Sequence, residues 1–301
     1  MISDAKKYEG ENLLAGCCDL HVHASPEVNM GPVDEPTTAK MARDMGMRAI
    51  VFKPLVWPTV RSAQLVGSMV PGIRLYGGVA LNVTSGGLDP AIVDAAGRLG
   101  GKTVWMPTWS AANDIKNGGF SKAFKELLPI VDKYPIKGIS VVDENGALRP
   151  EAREIVRLAK EYDMILSTGH ISPYESKCLA KEAQACGYCK LVFAHPISNS
   201  VGATYQDIKD MVELGAWVEH TAIPAFSRRH PKPMDKIVEG LLVVGPEHTI
   251  ITSDVANPDN PPGPIMLQTF LASLIEHGVK RKDIERMTRD NPAYLLNLEV
   301  S

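Results

Sequence analysis

The chain has 301 residues, enough to bury a sizeable core, and its 45% hydrophobic and 22% charged content is ordinary for a globular protein in water. A formal net charge of −3 gives no reason to expect a nucleic-acid or membrane partner, and no apolar run reaches the roughly 20 residues that cross a bilayer. Five cysteines, an odd count, argue against a disulfide scaffold; Met1 to Glu11 has no signal-peptide layout, so a cytoplasmic protein is expected.

An apolar run from Leu13 to Val22 reads as strand one and ends at His23, with a loop from Ser25 to Pro36. A helix follows from Pro36 to Met45, stopped by Gly46. Strand two is Arg48 to Lys53, then a loop through Thr59 and a helix from Val60 to Val70. Strand three is Leu75 to Leu81, the next helix Pro90 to Leu99, and strand four Thr103 to Met106. A long loop with Asn113, Asp114 and Gly118-Gly119 precedes a helix from Phe120 to Lys133. Gly138 to Val142 with the turn Asp143 to Gly146 reads as a small hairpin. The rest alternates: helix Arg149 to Tyr162, strand five Met164 to Thr168, helix Tyr174 to Ala185, strand six Leu191 to Ala194. Helix Tyr205 to Leu214, strand seven Ala216 to Glu219, helix Met234 to Leu242 and strand eight His248 to Ser253 complete the rhythm. Helices Pro264 to His277 and Arg281 to Leu296 close the chain.

Strands nearly continuous in apolar residues, alternating with helices, imply a parallel sheet covered on both faces. Eight such units in one chain predict an α/β fold, a (β/α)8 TIM barrel, forming a single domain over residues 1–301. A doubly wound open sheet is the alternative.

Five of the eight histidines end predicted strands. His21 and His23 close strand one, and positions i and i+2 of a strand face the same way. His170 follows strand five, His195 strand six, His220 strand seven, and Asp254 strand eight. In a barrel these carboxyl ends open onto one mouth, the face that carries barrel chemistry. His230, His248 and His277 lie in loops or at element starts and are expected to face solvent. Four imidazoles and a carboxylate suit one or two divalent ions, zinc first, then manganese, iron or nickel.

His21-Val-His23, His170, His195 and Asp254, in that order on strands one, five, six and eight, resemble the ligand pattern of the amidohydrolase superfamily. The tail Thr288-Arg-Asp-Asn-Pro-Ala-Tyr-Leu-Leu-Asn-Leu298 is similar to one common there. The resemblance points to an uncharacterised subgroup of short barrels, without the appended β-sandwich of the dihydroorotase and urease branches. It implies a metal-dependent hydrolase of amidohydrolase type, in which Asp254 passes the proton of the attacking water to the leaving group, and a homo-oligomer. Binuclear members often bridge two ions from strand four; here that strand has no such ligand, and Lys53, ending strand two, is the substitute. Lys53 is then carboxylated, pairs with a substrate anion, or stays an ammonium. An ammonium beside a cation is costly unless it is neutralised or paired.

Hydrolysis of an amide-type C–N bond, cyclic or open, or of a lactone or other ester in a small molecule fits this set. The alternatives are a mononuclear zinc decarboxylase and, from another class, a non-catalytic metal or small-molecule binding barrel. His195 is a ligand of a two-ion site, or with one ion polarises the carbonyl. His220 is assigned to substrate contact or to orienting a ligand. In the loop Pro224 to Pro233, Arg228 or Arg229 suits a substrate carboxylate, against the plainer reading of a solvated loop. Trp57, with Trp105 and Trp109, can line an apolar wall, although core packing explains Trp105 equally well. Cys186-Gly-Tyr-Cys189 is one pair only, too few ligands for a structural zinc site, and Cys17 and Cys18 read as small buried apolar residues.

Overall fold

Short apolar runs flanked by Gly, Pro and capping residues become buried strands joined by helices. The structure is a computed structural model and describes residues 11–28, 31–133, 136–226 and 232–299. The chain begins β1 (Cys18–Val22), α1 (Glu35–Asp44), β2 (Ala49–Phe52), α2 (Val60–Met69), β3 (Arg74–Ala80), α3 (Pro90–Arg98) and β4 (Thr103–Trp105). Three short helices follow, α4 (Ala112–Asn117), α5 (Phe120–Leu127) and α6 (Ile130–Lys133), before α7 (Pro150–Glu161) and β5 (Ile165–Ser167). Then come α8 (Pro173–Ala185), β6 (Leu191–Phe193), α9 (Tyr205–Glu213), β7 (Trp217–Thr221), α10 (Ile223–Phe226), α11 (Met234–Val244) and β8 (Thr249–Thr252). The last helices are α12 (Gly263–Glu276), α13 (Arg281–Glu285) and α14 (Asn291–Leu295). The strands form one parallel sheet in the order β1 to β8, and the fold is a (β/α)8 barrel. No second sheet occurs among the described residues. None of their helices is long and apolar enough to cross a membrane.

Helix starts follow local chemistry. Asp34 accepts a hydrogen bond from the Thr37 amide at 2.7 Å and caps α1, which begins at Glu35, one residue before the predicted Pro36. Ser172 with Glu175, and Thr204 with Asp207, form capping boxes at α8 and α9. In α7 the buried residues Ala152, Ile155, Val156, Leu158 and Ala159 fall on one helical face.

By the pattern of contacts the chain divides into two compact units. The first comprises the chain up to Phe52, Ala63–Leu75 and everything from His220; the second comprises Lys53–Ser62 and Tyr76–Glu219.

In the first unit β1 and β2 are buried at every position. Their register runs Cys18↔Ala49, Asp19↔Ile50 and Val22↔Phe52, with an irregularity between Asp19 and Val22. Irregular ladders of this kind re-aim side chains, and this one covers Leu20 and His21. The predicted helix Arg281–Leu296 is α13, a π-helical turn over Arg286–Asp290, and α14. Its Asn291 side-chain amide donates to Pro246 O and Thr249 O at 2.7 and 2.6 Å, which ties the tail motif to the start of β8.

In the second unit β3 to β7 pair in parallel, with Gly78↔Thr103, Thr103↔Ile165, Leu166↔Leu191 and Val192↔Trp217 among the partners. The predicted helix Phe120–Lys133 is broken into α5 and α6 around Pro129, which cannot continue a hydrogen-bonded turn. The predicted loop before it contains α4 instead. The predicted hairpin is a single antiparallel bridge, Val142↔Leu148, around a turn in which Asp143 Oδ1 accepts from the Asn145 and Ala147 amides. Trp109 stacks on Phe124 with ring centroids 4.0 Å apart, and its Nε1 donates to Leu55 O at 2.8 Å. Trp109 is therefore core, with Leu55, Phe124 and Val131.

Of the cysteines, Cys17 and Cys18 are buried and Cys189 is exposed. Burial pushes the Cys18 thiol up to about 12, and raises Cys17 too. At pH 8 both are neutral and unreactive. A thiol reagent is expected to label Cys189 quickly, and Cys17 and Cys18 only after unfolding; mass mapping of labelled peptides checks this, and prompt native labelling of Cys18 would contradict it.

Candidate functional site

In the first unit β1 delivers His21, and His23 follows two positions on; their ring centroids are 5.3 Å apart. β8 ends at Thr252, and the chain turns so that Asp254 meets both rings. Asp254 Oδ1 lies 2.8 Å from His21 Nε2 and 3.3 Å from His23 Nε2. The turn requires φ +54° at Asp254, in the left-handed region that Asp tolerates better than most residues. Two hydrogen bonds hold it there: the Asp254 amide donates to His21 O at 2.9 Å, and the Ser253 hydroxyl to the same oxygen at 3.3 Å.

Beneath lies Asp19, which the sequence reading passed over. Its carboxylate accepts the His21 amide at 3.1 Å and the Ser253 amide at 3.2 Å on each oxygen, so one buried side chain couples the ends of β1 and β8. Burial pushes its pKa up to about 6 against the pull of these hydrogen bonds. The signal was present: an acid inside an apolar strand, two residues before a histidine and so on its face.

His21, His23 and Asp254 offer ligand atoms within 4.8 Å of one another, a group that could hold a metal ion. Two nitrogens and a carboxylate oxygen are a donor set for zinc or a similar divalent ion, and atoms each about 2 Å from one ion stand roughly 3 Å apart. The residues fit the group. Both imidazoles are buried, with 1% and 4% of the side chain exposed, whereas Asp254 keeps 19%, so the carboxylate is the member open to water.

The second unit carries its own pair. His170 follows β5 and His195 follows β6, and their rings meet edge to face with centroids 5.0 Å apart. His170 Nδ1 is 2.6 Å from Asp114 Oδ2, and His195 Nδ1 is 3.0 Å from Ser198 Oγ. Asp114 was visible only as a loop residue after strand four; no local pattern linked it to a histidine 56 positions later. Burial works against its charge, but the His170 contact and the hydrogen bonds from Ser121 prevail and hold its carboxyl at about 2. His195 has φ +24°, strained for a residue with a β-carbon, and such strain gathers at functional positions.

Lys53 is buried after β2, its Nζ 5.9 Å from the centre of the Trp105 ring. His220, predicted just past strand seven, lies within β7 and is buried. Trp57 is 75% exposed. Arg228 and Arg229, like His230, lie outside the described residues. His248 and His277 are exposed, as expected. Glu175 does more than open a helix: beyond its capping box it accepts from Ser140 Oγ and the Val141 amide, at 2.7 and 3.0 Å, anchoring the bridge segment to α8.

Among solved structures, an amidohydrolase from Pseudomonas aeruginosa is similar, with 12% identity over 95% of this chain and 97% of that one and a TM-score of 0.60. The probable dipeptidase PvdM of the same organism matches at 12% identity over 96% of each chain, TM-score 0.65. An organophosphorus hydrolase from Deinococcus radiodurans matches at 14%, over 94% of this chain and 93% of that one, TM-score 0.53. At such identity the likeness carries the fold alone. No curated protein matches the chain. The model of DUF6282, a family of unknown function, matches residues 16–219, more than half of the chain, which therefore belongs to that family.

Proposed function

We propose that the protein is a metal-dependent hydrolase that cleaves an amide-type C–N bond, or a lactone or other ester, in a small molecule. The observation that carries this reading is the His21, His23 and Asp254 group, whose ligand atoms lie within 4.8 Å of one another. Zinc suits these donors best; manganese, iron and nickel are alternatives. His170, His195 and Lys53 are proposed as further donors on the sequence pattern alone. Hydrolases recur among the similar folds, and the reading agrees with them.

A divalent ion held there would supply Lewis-acid polarisation and an acidified water at neutral pH. The chain supplies the proton path. Asp254, the partly exposed member, accepts the proton of the attacking water and gives it to the departing nitrogen or oxygen. His21, in β1, and His23, just past it, keep that carboxylate aimed, and the hydrogen bond from the Asp254 amide to His21 O holds its turn. Trp57, His220, Arg228 and Arg229 are proposed for substrate contact on the sequence pattern alone.

Removal of metal tests the reading. Dialysis against dipicolinate is expected to abolish turnover of an amide and lactone panel and to leave the far-ultraviolet circular dichroism intact; zinc should restore activity. Full turnover by metal-depleted protein would overturn the proposal.

A further inference from the structure

The Asp114 carboxylate is buried and meets three donors. The Ser121 amide donates to Oδ1 at 2.7 Å, the Phe120 amide to Oδ2 at 3.2 Å, and His170 Nδ1 lies 2.6 Å from Oδ2. Both amides belong to the first turn of α5, whose positive end favours an anion. An ionised carboxylate only accepts hydrogen bonds, so the nitrogen facing it must carry the proton. A neutral imidazole protonated at Nδ1 keeps its lone pair on Nε2. The backbone of His170 is held as well: its amide donates to Pro107 O at 2.9 Å, and Asn113 Nδ2 donates to its carbonyl at 3.1 Å.

We propose that Asp114 is a positioning residue that sets the tautomer of His170, so that Nε2 is presented as the electron-pair donor. The tautomer follows from the contacts around Asp114; only the statement that Nε2 then serves a metal rests on the function proposed above. Carboxylate partners of this kind orient an imidazole and raise its basicity.

Asp114→Asn is the test, because it keeps the shape and changes one hydrogen-bonding atom. With the Asn oxygen retained by the Ser121 amide at 2.7 Å, and the Phe120 amide kept by Ser200 Oγ at 3.2 Å, its NH2 faces His170 Nδ1, which must then accept. The ring proton is expected to move to Nε2. Nitrogen-15 shifts of histidine-labelled, metal-free full-length protein at pH 8 read this directly, with His170→Gln assigning the signal. Wild type should show Nδ1–H and Asp114→Asn should show Nε2–H, with zinc affinity about 10–100-fold weaker. Asp114→Glu, which restores the acceptor, should return the Nδ1–H form. A wild-type His170 protonated at Nε2, or an unchanged tautomer in Asp114→Asn, overturns the proposal, and the wild-type spectrum decides even if the variant does not fold. Unchanged zinc binding in His170→Gln would instead remove His170 from the metal reading and leave the tautomer result standing.

Discussion

Asp254→Asn is expected to lower turnover by about 10²- to 10⁴-fold, the usual contribution of a positioned general acid–base, while metal remains bound. Asparagine is the informative replacement. It tolerates the left-handed backbone that φ +54° demands, so the turn after β8 survives, with its bond from residue 254 N to His21 O. It also retains an oxygen where Oδ1 stands between His21 Nε2 and His23 Nε2. What it cannot do is accept a proton at neutral pH. Alanine would remove a ligand atom and the carboxylate together and could not separate binding from proton transfer. Turnover and metal content should be measured on the same preparation. A fully metallated Asp254→Asn with wild-type turnover would exclude Asp254 from the chemistry.

Gly169→Ala is expected to destabilise the fold strongly and to disturb His170 beside it. Gly169 has φ +57°, and a β-carbon there would stand 2.3 Å from Met106 O and 2.8 Å from Pro107 O. Both obstacles are backbone, so no rotamer change relieves them. The left-handed conformation costs an alanine about 1–2 kcal/mol, and overpacking of this kind adds about 1–3 kcal/mol. The same segment is bonded across, Met106 N to Ser167 O at 2.8 Å and His170 N to Pro107 O at 2.9 Å. Relief of the overlap must therefore move His170 or break these bonds. Thermal melting and the nitrogen-15 signal of His170 report the two consequences. An unchanged melting temperature would show that the close approach after β5 does not constrain the chain.

Particular residues show how far local pattern reaches. The run Arg48 to Lys53 was readable as a strand because burial on both faces demands consecutive apolar side chains, and β2 spans Ala49–Phe52. His21 and His23 were readable as partners because the two-residue period of a strand puts them on one face. Asp254 was readable as a candidate from its place just past an apolar run. Asp19 was hidden by its surroundings, since an acid in an apolar stretch resembles an interruption until Ser253 is seen donating to it. The split of the helix at Pro129 was underestimated for the opposite reason, periodicity being read across a residue that lacks an amide proton.

The sequence by itself determined the alternation of buried strands and capped helices, hence the (β/α)8 barrel, and the histidines and aspartate that end its strands. Those features depend on neighbours in the chain, through hydrophobic period, capping and the handedness of short connections. Only the tertiary structure decided which polar atoms meet: Asp254 on His21 and His23, Asp19 beneath them, and Asp114 on His170 across 56 residues. Such contacts are set by the paths of loops and the register of strands, within a few tenths of an ångström, and no local pattern carries that information.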